Sequence, residues 1–114
     1  MNRILNDERI EELKQLDDDG SNETLLSLIE LYINSSTKTL QELIIAQAVG
    51  EPETIKQLLH SLRSSSLNLG VESLAEFAKQ IEFSDKTVTK KNIDDIGQHF
   101  ENVKTKLLDI KKGS

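Results

Sequence analysis

With 114 residues, the chain has room for one hydrophobic core and not two. Its 36% hydrophobic and 30% charged residues are the balance of a folded protein, and the absence of Cys removes disulfide frameworks, thiolate metal sites and thiol nucleophiles. A net charge of −6, with Lys and Arg scattered rather than striped, speaks against nucleic acid as a partner.

The apolar spacing is helical almost throughout, and one Pro and five Gly punctuate it. A first short helix is expected over Asp7–Leu16, with Asn6 as its cap, acidic Asp7 and Glu8 in its first turn, and Ile10 and Leu13 on one face. Asp17-Asp18-Asp19-Gly20 ends it and reads as a solvated helix end, since the alternating ligands and terminal Glu of a calcium loop are missing. The second helix opens after Ser21 or Asn22 and sets Leu25, Leu28, Ile29, Tyr32, Ile33, Leu40, Leu43 and Ile44 on a stripe. Asn34-Ser35-Ser36-Thr37 is a run of weak helix formers, but without Gly or Pro to break it one long helix is favoured.

Gly50 stops that helix, and Pro52 opens the next at the first helical position, where its missing N–H costs nothing. The third helix, Pro52–Leu69, carries Ile55, Leu58, Leu59, Leu62 and Leu69 inward and closes on Gly70 as a left-handed cap. A connection this short requires the fourth helix, Val71–Phe83, to run antiparallel to it, with Val71, Leu74, Phe77, Ala78 and Ile81 as its stripe. The last helix, Lys90–Lys111, places Ile93, Ile96, Phe100, Val103, Leu107 and Ile110 at alternating spacings of three and four, a bundle seam. The expected fold is all-α: an antiparallel up-down-up-down four-helix bundle with a short additional N-terminal helix lying across one end as a lid. A single domain spans 1–114, with its bundle core over about 22–111.

Of the two His residues, His60 stands out by where the helix puts it. At about 100° per residue it lies roughly 140° from Ile55, off the buried stripe, so core packing does not explain it. Lys56, Gln57, Arg63, Ser64 and Leu67 fall on the same exposed face. A neutral imidazole is a competent nucleophile near neutral pH, and cationic Lys56 and Arg63, one turn to either side, suit an anionic phosphoryl group. Small Ser64, Ser65 and Ser66 keep the neighbouring surface low, and an exposed Leu67 offers an apolar foothold. On periodicity alone these residues are equally the solvated face of an amphipathic helix. His99, between Gln98 and Phe100, has no such surroundings and reads as surface. No two-histidine metal spacing and no Gly-rich phosphate loop occurs, so neither a metal site nor ATP binding is expected.

From Leu59 the chain runs LHSLRSSSLNLGVESLAEFAKQIE, which resembles the signature of histidine-containing phosphotransfer (HPt) domains. The matching positions are His60, Leu62, Arg63, Ser64, Ser65, Leu69, Gly70, Leu74 and Glu82. Two positions depart from the usual pattern: Arg63 stands where Lys is usual and Ser64 where Gly is. Arg keeps the charge but not the geometry of an ammonium, and Ser remains small. The resemblance implies that His60 accepts a phosphoryl group on Nε2, that Arg63 gives electrostatic support, and that Glu82 orients the ring by accepting from Nδ1–H. It also gives Ser65 and Gly70 structural roles; Lys56, Gln57, Ser64 and Leu67 are expected partner contacts from the helical wheel.

The function so implied is that of a phosphorelay intermediate in two-component signal transduction, taking a phosphoryl group from a receiver-domain aspartate and passing it to a response regulator. It would be a carrier of phosphohistidine and not a stand-alone kinase, with no cofactor of its own and with Mg²⁺ on the partner receiver domain. Expected partners are a receiver domain, a hybrid histidine kinase, or both, with a monomeric protein in the cytoplasm. The opening MNRILNDERIEELKQL has no secretory pattern, and no run approaches the roughly 20 apolar residues that span a bilayer. Two alternatives stand beside this: a non-catalytic helical adaptor in which His60 is incidental, and the phosphoacceptor domain of a larger histidine kinase.

Overall fold

The computed structural model describes residues 3–113 and contains α1 (Asp7–Lys14), α2 (Glu23–Val49), α3 (Pro52–Leu69), α4 (Glu72–Glu82) and α5 (Lys90–Lys112). Helices α2 to α5 pack in a ring in which each touches the next and α5 closes against α2. With connections as short as Gly50-Glu51 and Gly70-Val71, this is the expected antiparallel four-helix bundle. Its axis is filled by Leu25, Ile29, Leu43, Leu59, Leu62, Leu74, Ile96 and Leu107, all fully buried.

Helix α2 runs unbroken for 27 residues. Its polar middle stays helical with hydroxyls folded back onto carbonyls of the preceding turn instead of competing for other backbone groups: Thr37 donates to Ile33 O at 2.8 Å and Thr39 to Ser35 O at 3.0 Å. Asn22 adopts a left-handed φ of 58° and makes no side-chain cap. The cap comes from upstream, where Asp17 accepts from Thr24 N–H at 2.7 Å and from the Thr24 hydroxyl at 3.1 Å. Ile44, expected on the stripe, is instead exposed; at that turn Leu43 and Ala46 face the core. A step of 100° carries the next residue to the rim of the stripe.

The N-terminal segment does more than lie across an end. Asn6 N–H donates to Gly70 O at 2.7 Å and Glu72 N–H to Ile4 O at 2.9 Å, forming an isolated antiparallel bridge between Leu5 and Val71. Ile4 thus satisfies an amide at the start of α4 that the helix itself cannot. Arg9 Nε donates to Asn68 O, and Arg3 reaches both Glu72 and Glu8.

This strap presses on Gly70, which sits at φ 90°. A Cβ there would lie 3.0 Å from Arg9 Cβ and Cγ. Gly70→Ala is therefore expected to lower stability by about 1–3 kcal/mol, read as a lower midpoint in urea unfolding, because left-handed strain and the clash act together.

Among the described residues, the hydroxyls of Tyr32, Ser36 and Ser66 lie in the core. Tyr32 Oη and Ser66 Oγ share a hydrogen bond of 2.7 Å, and Ser36 is buried in the same helix one turn from Tyr32. Burial pushes the Tyr32 phenol up to about 12, against the opposing effect of the Ser66 and Ser36 hydroxyls. In an unfolded chain the phenol ionises near its usual value of about 10. Between the two values the native state holds a proton that the unfolded state has lost, so stability is full below about pH 10 and falls as pH rises through about 12. Tyr32 is the sole tyrosine, so tyrosinate absorbance followed during alkaline titration reads this one group. Tyr32→Phe is expected to flatten the loss of stability over that window.

Candidate functional site

The site is built by the α3–α4 hairpin. His60 stands ten residues before Gly70 and Glu82 twelve after it, so on antiparallel helices rising about 1.5 Å per residue the two reach nearly the same height. Arg63 lies three residues beyond His60, on the adjoining turn of the same face. These three side chains meet. Arg63 Nε donates to Glu82 Oε1 at 3.0 Å, Arg63 Nη2 lies 2.9 Å from His60 Nδ1, and Glu82 Oε2 lies 3.4 Å from the same nitrogen.

Exposure divides the roles. The His60 side chain is 58% accessible, whereas Glu82 is 11% and Arg63 20% accessible. An exposed ring is thus seated on a largely covered ion pair, and the contacts to Arg63 and Glu82 both fall on Nδ1 and not on Nε2. Arg63 is further held by Phe83, whose ring centroid is 5.3 Å from the guanidinium carbon. Phe83 ends α4 and is 66% exposed.

Lys56, Gln57 and Leu67 are exposed on α3, and Ser64 is half-buried. Lys56 borders a surface groove of about 430 Å³ whose far side carries Ile81 and Lys86. Leu67 and Arg63 border another of about 310 Å³ together with Ala75 and Lys79. Ser65 donates its hydroxyl to Leu62 O at 3.2 Å, and its outer side faces the groove toward Leu28 and Tyr32, away from His60. Ser66 is buried against Tyr32. Three consecutive residues spread over about 200° of the helix, so of the three serines only Ser64 lowers the surface beside the histidine.

One of the two histidines falls elsewhere than the sequence suggested. His99 is half-buried, with its ring edge-on to Phe77 at 4.5 Å between centroids, and so packs α5 onto α4. Phe83 lies against Arg63 and was missed, because the wheel of one helix says nothing of what the neighbouring helix brings to it. The available signal was its place immediately after Glu82, at the end of the same helix. Among the described residues no cluster of three or more His, Asp or Glu is placed to hold a metal ion, and no helix is long and apolar enough to cross a membrane.

Comparison with known proteins agrees with this fold. No curated protein matches the sequence. Among solved structures, the chain is similar to histidine-containing phosphotransfer protein B (HptB) from Pseudomonas aeruginosa PAO1, with a TM-score of 0.85 over 100% of this chain and 99% of that one, at 19% identity. At that identity the likeness shows a common fold. A family model described as the Hpt domain matches residues 27–106, which takes in α3, α4 and all three interacting side chains. The chain therefore belongs to the Hpt domain family.

Proposed function

We propose that this protein is a phosphorelay intermediate of two-component signalling in which His60 Nε2 receives a phosphoryl group from the aspartyl phosphate of a receiver domain and hands it to another. The observation that carries this reading is the exposed His60 ring whose Nδ1 faces a covered Arg63–Glu82 pair. Transfer requires a lone pair on Nε2, hence the ring proton on Nδ1. Glu82, on the Nδ1 side and nearly covered, is the group that accepts that proton's hydrogen bond and offsets positive charge as the ring becomes phosphorylated. The Nε2 lone pair forms the N–P bond while the acyl P–O bond breaks, and the electron pair leaves with the aspartate carboxylate.

The catalytic Mg²⁺ and most of the electrostatic stabilisation of the phosphoryl group then belong to the receiver. This chain supplies the nucleophile and a face to dock on: Lys56, Gln57, Ser64 and Leu67, extended by Phe83. It acts as a carrier and not as an enzyme in its own right, as a monomer in the cytoplasm. Ser65 and Gly70 serve the fold beneath the site. Incubation with a phosphorylated receiver domain and Mg²⁺, followed by assay for acid-labile, base-stable phosphate, tests the proposal. Label on the protein supports it; a wild type left unlabelled by a panel of receivers sinks it.

A further inference from the structure

Resting on the reading of His60 as nucleophile, we propose that Arg63 is a positioning residue that keeps the free imidazole in its unreactive tautomer and releases it when a phosphoryl group arrives. Guanidinium nitrogens only donate hydrogen bonds. The 2.9 Å contact from Arg63 Nη2 therefore demands a lone pair on His60 Nδ1, which in the neutral ring places the proton on Nε2. In that form Nε2 has no lone pair to offer phosphorus.

The reactive tautomer has its own partner waiting. Glu82 Oε2 is 3.4 Å from the same Nδ1 and accepts from it once Nη2 is gone. Two groups thus compete for one nitrogen and require opposite protonation of it, with the donor at the shorter distance.

Arg63 can leave the ring without leaving the site. Its Nε stays on Glu82 Oε1 at 3.0 Å and its guanidinium over Phe83, while only Nη2 has to turn away. A phosphoryl group provides the reason, because its anionic oxygens are better acceptors for a guanidinium than a neutral imidazole nitrogen is. The ring then loses its Nε2 proton to solvent and takes one from solvent on Nδ1, which donates to Glu82. The Nε2 lone pair forms the N–P bond as the acyl P–O bond breaks toward the carboxylate, and the proton on Nδ1 stays with the ring. A lysine could not do this, because one ammonium does not span the carboxylate and the imidazole in the forked manner of Arg63.

Imidazole ¹⁵N NMR of the intact protein, at a pH where the ring is neutral and with His60 assigned against His60→Gln, reads the tautomers directly. Nε2–H is expected as the major form in wild type. In Arg63→Met, which keeps the stem and removes the donor, the ratio of Nδ1–H to Nε2–H is expected to rise about tenfold, the weight of one net hydrogen bond. Arg63→Lys is expected to shift it in the same direction and stands in should the Met variant fail to fold. A wild-type ring already mainly Nδ1–H, or a ratio unmoved in the variants, overturns the proposal. No phosphate enters this measurement, so a tautomer shift in a protein that receivers cannot label would overturn the relay and leave the Arg63 device intact.

Discussion

Replacing His60 by Gln is expected to abolish acid-labile phosphate on the protein altogether while leaving its thermal midpoint within a few degrees of wild type. The chemical half follows from the loss of the lone pair: a carboxamide nitrogen is not a nucleophile, and no other imidazole can substitute, since His99 is packed on Phe77. The structural half follows from exposure. More than half of the His60 side chain is accessible, and changes at such positions usually move stability by only about 0.5 kcal/mol. Phosphotransfer from a labelled receiver domain together with thermal melting followed by circular dichroism checks both. Residual base-stable label on the variant would place the phosphoryl group on another residue.

One position earlier the expectation is reversed. Leu59 is fully buried in the bundle core, and Leu59→Ala should cost about 2–5 kcal/mol, the lost transfer energy plus that of a cavity the packed bundle cannot collapse. In a domain of this size that lowers Tm by about 8–30 °C. Below that midpoint the folded fraction is expected to accept phosphate normally, because the His60, Arg63 and Glu82 contacts involve none of the atoms removed. Calorimetry and a transfer assay at low temperature separate the two effects. A Leu59→Ala protein that melts like wild type would contradict the packing described for α3.

What could be read from the sequence was whatever repeats along one chain segment. The unbroken α2, the stops at Gly50 and Gly70, the start at Pro52 and the seam of α5 all rest on spacing and on local backbone chemistry, and all are present. The azimuth of His60 belongs to the same class. What could not be read depends on which segments meet. Asp17 capping α2 from seven residues upstream of Thr24, the strap of residues 3–6 on the Gly70 turn, and Ser66 turned inward onto Tyr32 leave no periodic trace.

Arg63 is the instructive case. The wheel sets it on the exposed face with His60, as a cation beside the histidine, whereas its side chain is only 20% accessible. The wheel gives an angle but says nothing of a carboxylate on the next helix, so the pairing with Glu82 that covers Arg63 emerges only from the hairpin. Phe83 was overlooked for the same reason.

The ten and twelve residues that separate His60 and Glu82 from the Gly70 turn make the site a matter of counting as much as of chemistry. One residue added to either arm would advance that helix by about 1.5 Å and rotate it by about 100°, carrying its side chain out of reach while every functional residue remained in the sequence. The length of this hairpin is therefore as strict a requirement as the identities of the residues it brings together, and a chain with all of them but a different arm length would keep the fold and lose the triad.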